Sequence, residues 1–165
     1  MEMDTLAKLY VDELKDLWSA ERQILQALPK MIKAASAKPL KKGFRDHERQ
    51  TREHVRRLVR ILKSLDASPR GKKCVGMEGL LKEGSELIKE RPEADVLDAG
   101  LIAAAQHVEH YEMAGYGTVR AWAKVLGHSD HARLLQQTLN EEGETDKALT
   151  KLAERINVEA DNGEE

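Results

Sequence analysis

Four stretches of the chain repeat apolar residues at helical spacing, and in each the apolar stripe is broken by polar, metal-capable side chains on the same face. In the first, Tyr10, Leu14, Leu17, Leu25 and Leu28 line up and Glu21 falls among them. In the second, Phe44, Leu58, Leu62 and Leu65 share a face with His47, Gln50, Thr51 and His54. The third sets Glu109 and Glu112 among Ile102, Ala105, Met113, Tyr116 and Ala123. The fourth sets Glu142, Thr145 and Asp146 among Leu135, Leu139, Leu149 and Ala153. A lone carboxylate on a buried face is costly unless something pairs with it. Four such faces call for one shared explanation. Divalent metal ions supply it, because several anionic ligands are then satisfied together.

The levels agree as well. Measured from the turns that join the runs, Glu21 and the His47–His54 group lie at matching depth across the first hairpin, and Glu109–Glu112 matches Glu142–Asp146 across the second. His47 and Gln50, Gln50 and His54, Glu109 and Glu112, and Glu142 and Asp146 stand three or four residues apart, which turns both heads of each pair to one side. Glu21, His47, Glu109, Glu112 and Glu142 are therefore the leading candidate ligands, with Gln50, His54 and Asp146 as further ones. An oxygen-rich, nitrogen-poor donor set suits two divalent ions, iron ahead of manganese or zinc. With an open position, iron or manganese can bind oxygen or peroxide.

The layout fixes the fold class. Helices are expected from about Asp4, as N-cap, to Ala35; from Pro39 to Leu65; from Pro92 to Leu126, stopped by Gly127; and from Ser129 or Asp130 to Ile156. Pro29 should kink or break the first. Between the second and third lies a turn-rich basic segment, Ser68 to Lys73, followed by a short amphipathic pattern through Met77, Leu80, Leu81, Leu87 and Ile88. Two short hairpins joined by one long crossover describe an all-α, ferritin-like four-helix bundle with a short helix in the crossover. Residues 1–158 read as one domain and residues 159–165 as an acidic, fraying tail.

Other classes are disfavoured. A net charge of −2 makes no demand for nucleic acid. The basic row Arg45, Arg49, Arg52, Arg56, Arg60 and Lys63 lies opposite His47, as a solvated face would. No stretch approaches a membrane span, and Met1 to Asp4 holds no apolar signal core. Cys74 stands alone, which fits a reducing compartment, and the expected location is the cytoplasm.

Three stretches carry a resemblance across nearly the whole chain: Asp16-Leu17-Trp18-Ser19-Ala20-Glu21, Lys73-Cys74-Val75-Gly76-Met77-Glu78-Gly79-Leu80, and Ala103-Ala104-Ala105-Gln106-His107-Val108-Glu109-His110-Tyr111-Glu112. Tyr116-Gly117-Thr118 and Thr138-Leu139-Asn140-Glu141-Glu142 add to it. The chain resembles the YciF-like family, a bacterial branch of the ferritin-like superfamily. The resemblance implies a helical bundle, a homodimer, a dinuclear metal centre and an association with bacterial stress response, but no defined reaction. The chain departs from the general ferritin-like pattern of two Glu-x-x-His pairs. It reads His47-x-x-Gln50-x-x-x-His54 and Glu142-x-x-x-Asp146, and Gln50 stands where family members often carry Glu.

Lesser expectations complete the reading. His110 points away from the Glu109 stripe, toward the surface or behind the ligands. Tyr10 and Tyr116 should be core residues that hydrogen-bond a carboxylate. Gly115 and Gly117 should permit close packing or a local bulge. Two functions compete: redox metal chemistry on ferrous iron or peroxide, and a non-catalytic dimeric interaction protein whose metal site is empty or structural.

Overall fold

The computed structural model describes residues 3–162; Met1, Glu2 and the last three tail residues lie outside them. Five helices form the fold among the described residues: α1 Leu6–Ala34, α2 Lys38–Ser64, α3 Val75–Glu90, α4 Ala94–Val125 and α5 Ser129–Asp161. The long crossover carries α3, and the other four make a bundle in which α1 lies beside α2 and α4, and α5 beside α2 and α4. Cross-helix contacts give the directions. Asp98 near the start of α4 meets the turn after α1, while Tyr116 further along meets Glu21, so α1 and α4 are antiparallel. Gln50 meets Thr145, Arg57 meets Thr138 and Ser64 meets His131, so α2 and α5 are antiparallel too. Consequently α2 ends at the opposite end of the bundle from where α4 begins. The crossover must travel the bundle's length, and α3 lies along α1 and α4 as it does so.

Chain punctuation sets the helix ends. Thr5, not Asp4, caps α1: its hydroxyl accepts from the Lys8 amide at 3.2 Å, and Asp4 instead pairs with Lys8 at 2.7 Å. Pro29 does not break α1. It sits one turn from the end and is exposed, so the carbonyl left without its amide faces the solvent side. At the end of α4, Gly127 takes a φ of +80°, and the amides of Gly127 and His128 return to the carbonyls of Lys124 and Ala123. The same double closure ends α2, with Asp66 rather than glycine in the left-handed position at φ +52°. The last helix continues five residues beyond Ile156, where the apolar pattern stops but good helix formers persist.

Packing follows the stripes with small shifts. Ile24 and Ala20 are buried where Leu25 was expected to lead. A Cβ on Gly115 would come within 2.8 Å of a Leu17 methyl, so this glycine allows α1 and α4 to approach closely; Gly117 faces open space and serves no such purpose. Tyr10 reaches His131 Nδ1 at 3.2 Å rather than a carboxylate.

The apolar core is split in two. One cluster contains Ile24, Leu28, Phe44, Leu101, Ile102 and Leu149. The other contains Leu14, Leu17, Leu58, Leu62, Tyr116 and Leu135. Each fully buried side chain of this size contributes about 1.5–3 kcal/mol. On α2, α4 and α5 the buried residues between the two clusters are all polar, and on α1 buried Glu21 interrupts the stripe at the edge of the first cluster, between Ala20 and Ile24.

Candidate metal centre

That polar layer consists of Glu21 from α1, His47 and His54 from α2, Glu109 and Glu112 from α4, and Glu142 from α5, all at most 4% exposed. They fall into two groups whose ligand-capable atoms lie within 4.8 Å of one another: His47, Glu109, Glu112 and Glu142 in one, Glu21, His54 and Glu142 in the other. Glu142 belongs to both. His47 Nε2 stands 3.0 Å from Glu109 Oε1, and His54 Nδ1 stands 3.2 Å from Glu21 Oε1 and 2.9 Å from Glu142 Oε1.

Closeness here does not amount to hydrogen bonding. Among the described residues, the buried side-chain nitrogens and oxygens without a hydrogen-bond partner belong to Glu21, His47, His54, Glu109, Glu112 and Glu142, apart from one atom each on Trp18 and Arg120. Both carboxylate oxygens of Glu112 and of Glu142 are among them. Buried polar groups are normally paired, and each exception costs about 1–3 kcal/mol. Lone pairs that converge without satisfying one another are what a cation needs. Four carboxylates and two imidazoles from four helices could hold such an ion or a pair of them.

The proton balance points the same way. Burial, and then the charge of Glu142, holds the Glu109 and Glu112 carboxyls well above the usual range. Burial works against a charge on His54, but Glu21, Glu141 and Glu142 outweigh it and push it up to about 12. Burial also opposes ionisation of Glu142, yet Glu109, His54 and His47 draw it down to about 2. His47 is pushed down, chiefly by burial, and favours the neutral ring that can act as a ligand. Without a cation, protons on this layer provide the compensating charge.

Neighbours hold the ligand-capable groups in place. Tyr116 donates to Glu21 Oε1 at 2.5 Å. The far nitrogen of His54, Nε2, lies 2.8 Å from Glu141 Oε2, and Arg57 grips Glu141 with two hydrogen bonds of 2.7 and 2.9 Å. A proton on Nε2 shared with Glu141 leaves Nδ1 directed at Glu21 and Glu142, the arrangement that orients metal-binding histidines. Glu141 and Arg57 were not singled out by the sequence reading. The available signal was that Arg57 follows His54 by three residues and Glu141 precedes Glu142, both on the α2–α5 seam.

Two of the eight sequence candidates fall outside the groups. Gln50 Oε1 accepts from Thr145 Oγ1 at 3.2 Å. Asp146 accepts from Gln106 at 3.2 Å and lies 3.2 Å from Nε2 of the mostly exposed His110. His110 thus sits at the surface, behind Asp146.

Comparison with known proteins agrees with this architecture. Residues 5–161 match the profile of a domain family of unknown function, DUF892. The chain belongs to that family. It is 41% identical over 164 residues to Protein YciF of Escherichia coli strain K12, covering 98% of this chain and 99% of that one. It superimposes on the crystal structure of the E. coli stress protein YciF with a TM-score of 0.90, covering 93% and 98% of the two chains. YcfI of Rhodopseudomonas palustris matches with a TM-score of 0.87 at 41% identity, covering 91% and 97%. This family member is therefore YciF-like over nearly its whole length, with a buried histidine–glutamate layer that could hold a metal ion. Among the described residues, no helix is long and apolar enough to cross a membrane.

Proposed function

We propose that the polar layer is a dinuclear metal centre of ferritin-like type, with Glu142 shared between the two positions. The unpaired, converging buried lone pairs carry this reading. Charge supports the number two: four carboxylates from Glu21, Glu109, Glu112 and Glu142 would be balanced by two divalent ions. The oxygen-rich donor set favours iron, then manganese, over zinc. Such ions, when bound, would supply electron transfer to oxygen or peroxide, either to oxidise ferrous iron or to remove peroxide. The chain's own residues hold the geometry. Tyr116 orients Glu21, the Arg57–Glu141 pair orients His54, and the two apolar clusters keep bulk water away from the layer.

The name of the E. coli relative suggests a role under stress, and the family resemblance suggests a homodimer; both are carried over as part of this proposal. The test is anaerobic ferrous loading followed by elemental analysis and oxygen uptake. About two ions per chain with oxygen consumption is the expected result. Protein that remains metal-free would exclude the centre. Light scattering tests the dimer independently.

A further inference from the structure

Beside the polar layer lies a cavity of about 190 Å³ whose apolar walls the metal reading leaves unused. Its walls are apolar, with Ile24, Leu28, Phe44, Leu149 and Leu152 prominent. Its buried end is formed by His47 and Glu109, and its outer end lies between α2 and α5, where Asp46, Glu144 and Ala148 line it. His47 is 4% exposed and Glu109 is 1% exposed, and both present nitrogen or oxygen atoms without a hydrogen-bond partner.

We infer that this cavity binds a small uncharged molecule of single-ring size, with an apolar body against the aliphatic walls and one hydroxyl turned toward His47 and Glu109. Size sets the first limit. Apolar cavities of about 150 Å³ stay dry and accept benzene, whereas sites for drug-sized ligands start at about 300 Å³. Charge sets the second. The apolar walls would strip an organic ion of either sign of its water without repayment, and Glu144 at the mouth adds repulsion of an anion. The unpaired atoms set the third. A hydrocarbon would leave the His47 and Glu109 atoms as they are, while a hydroxyl can both donate and accept there. The apolar walls do not depend on an ion, whereas the hydroxyl contact draws on His47 and Glu109, which the proposed centre also uses, so an ion bound there weakens that contact without removing the seat for the ring.

The experiment uses phenol as probe, with benzoate as its charged counterpart, and follows methyl NMR signals of the full chain in two forms, metal-free and loaded with zinc, which is diamagnetic. Saturable shifts confined to methyls of Ile24, Leu28 and Leu149 are expected in at least one form, with benzoate at least tenfold weaker. Ala105→Leu fills the buried wall and Ala148→Phe blocks the exposed mouth; each should weaken phenol at least tenfold. Ala148 is exposed, so its variant decides the matter even if Ala105→Leu does not fold. Absence of saturable shifts in both forms, shifts that survive Ala148→Phe, or equal binding of benzoate would overturn the inference. Metal content measured on the same samples separates the two readings: bound metal without phenol binding rejects only the cavity, and phenol binding without metal uptake rejects only the centre.

Discussion

Among individual residues, Glu142 stands apart because it is common to both ligand groups while Glu21 serves only one. Glu142→Ala should therefore abolish uptake of both ions, whereas Glu21→Ala should leave about one ion per chain held by His47, Glu109, Glu112 and Glu142; elemental analysis of the loaded variants distinguishes the two. Equal losses in the two variants would contradict a shared ligand. Glu141 acts one step further out. Burial favours its protonated form, but His54 and Arg57 pull it from 4.5 to about 2. A lowered value means that its contribution is fully present above about pH 4.5 and fades as the pH falls toward 2. Glu141→Gln should lower stability at pH 7 by about 2 kcal/mol, through the weakened hydrogen bonds to two charged partners. Denaturant titrations of both proteins should converge as the pH falls through that window; a constant gap would assign the loss to packing instead. The six residues of the layer were legible in the sequence because a carboxylate or imidazole on an apolar stripe is conspicuous. Glu141 and Asp146 were not separable that way. The pattern counted Asp146 on the stripe and left Glu141 off it, because a step of about 100° per residue cannot say which shoulder of the stripe faces the next helix and which faces water.

At the level of elements, the four long helices and the crossover were readable from periodicity alone, and Gly127 marked its turn correctly. The differences arise where tertiary contacts decide. Pro29 is tolerated because it stands near a helix end on the exposed side, a fact no local pattern reveals. Asp98 was invisible for the same reason. It is 1% exposed on α4, and its two carboxylate oxygens accept the amides of Ser36 and Ala37 at 2.8 and 2.7 Å, just before α2 begins. It thereby anchors the α1–α2 turn to the third bundle helix and places negative charge at the start of α2, where the helix dipole favours it. Asp98→Ala leaves both amides without that partner and should cost about 2–4 kcal/mol. Asp98→Asn keeps one acceptor and should recover roughly half of that loss in chemical denaturation. If alanine and asparagine are equally tolerated, the turn is held by packing.

For the molecule as a whole, the bundle places an unsatisfied polar layer between two apolar clusters, and stability should depend on what neutralises that layer. Ligand that binds only the folded state stabilises it by RT ln(1 + [L]/Kd), about 2.7 kcal/mol at a hundredfold excess over Kd. For a domain of this size that corresponds to roughly 5–11 °C in Tm. Thermal unfolding with manganese and with a chelator should show this difference, and Glu142→Ala should remove it. The effect also has a required pH sign. The raised Glu109, Glu112 and His54 groups hold protons that an arriving ion must displace. Raising the pH removes that competition, so metal affinity should increase with pH and uptake should release at least one proton per ion in unbuffered solution. The chelator-sensitive part of Tm should accordingly shrink as the pH is lowered from 8 to 6. A metal-dependent Tm that is flat across this range would mean that the ion leaves the protons of Glu109, Glu112 and His54 in place, and hence that it binds away from those three groups.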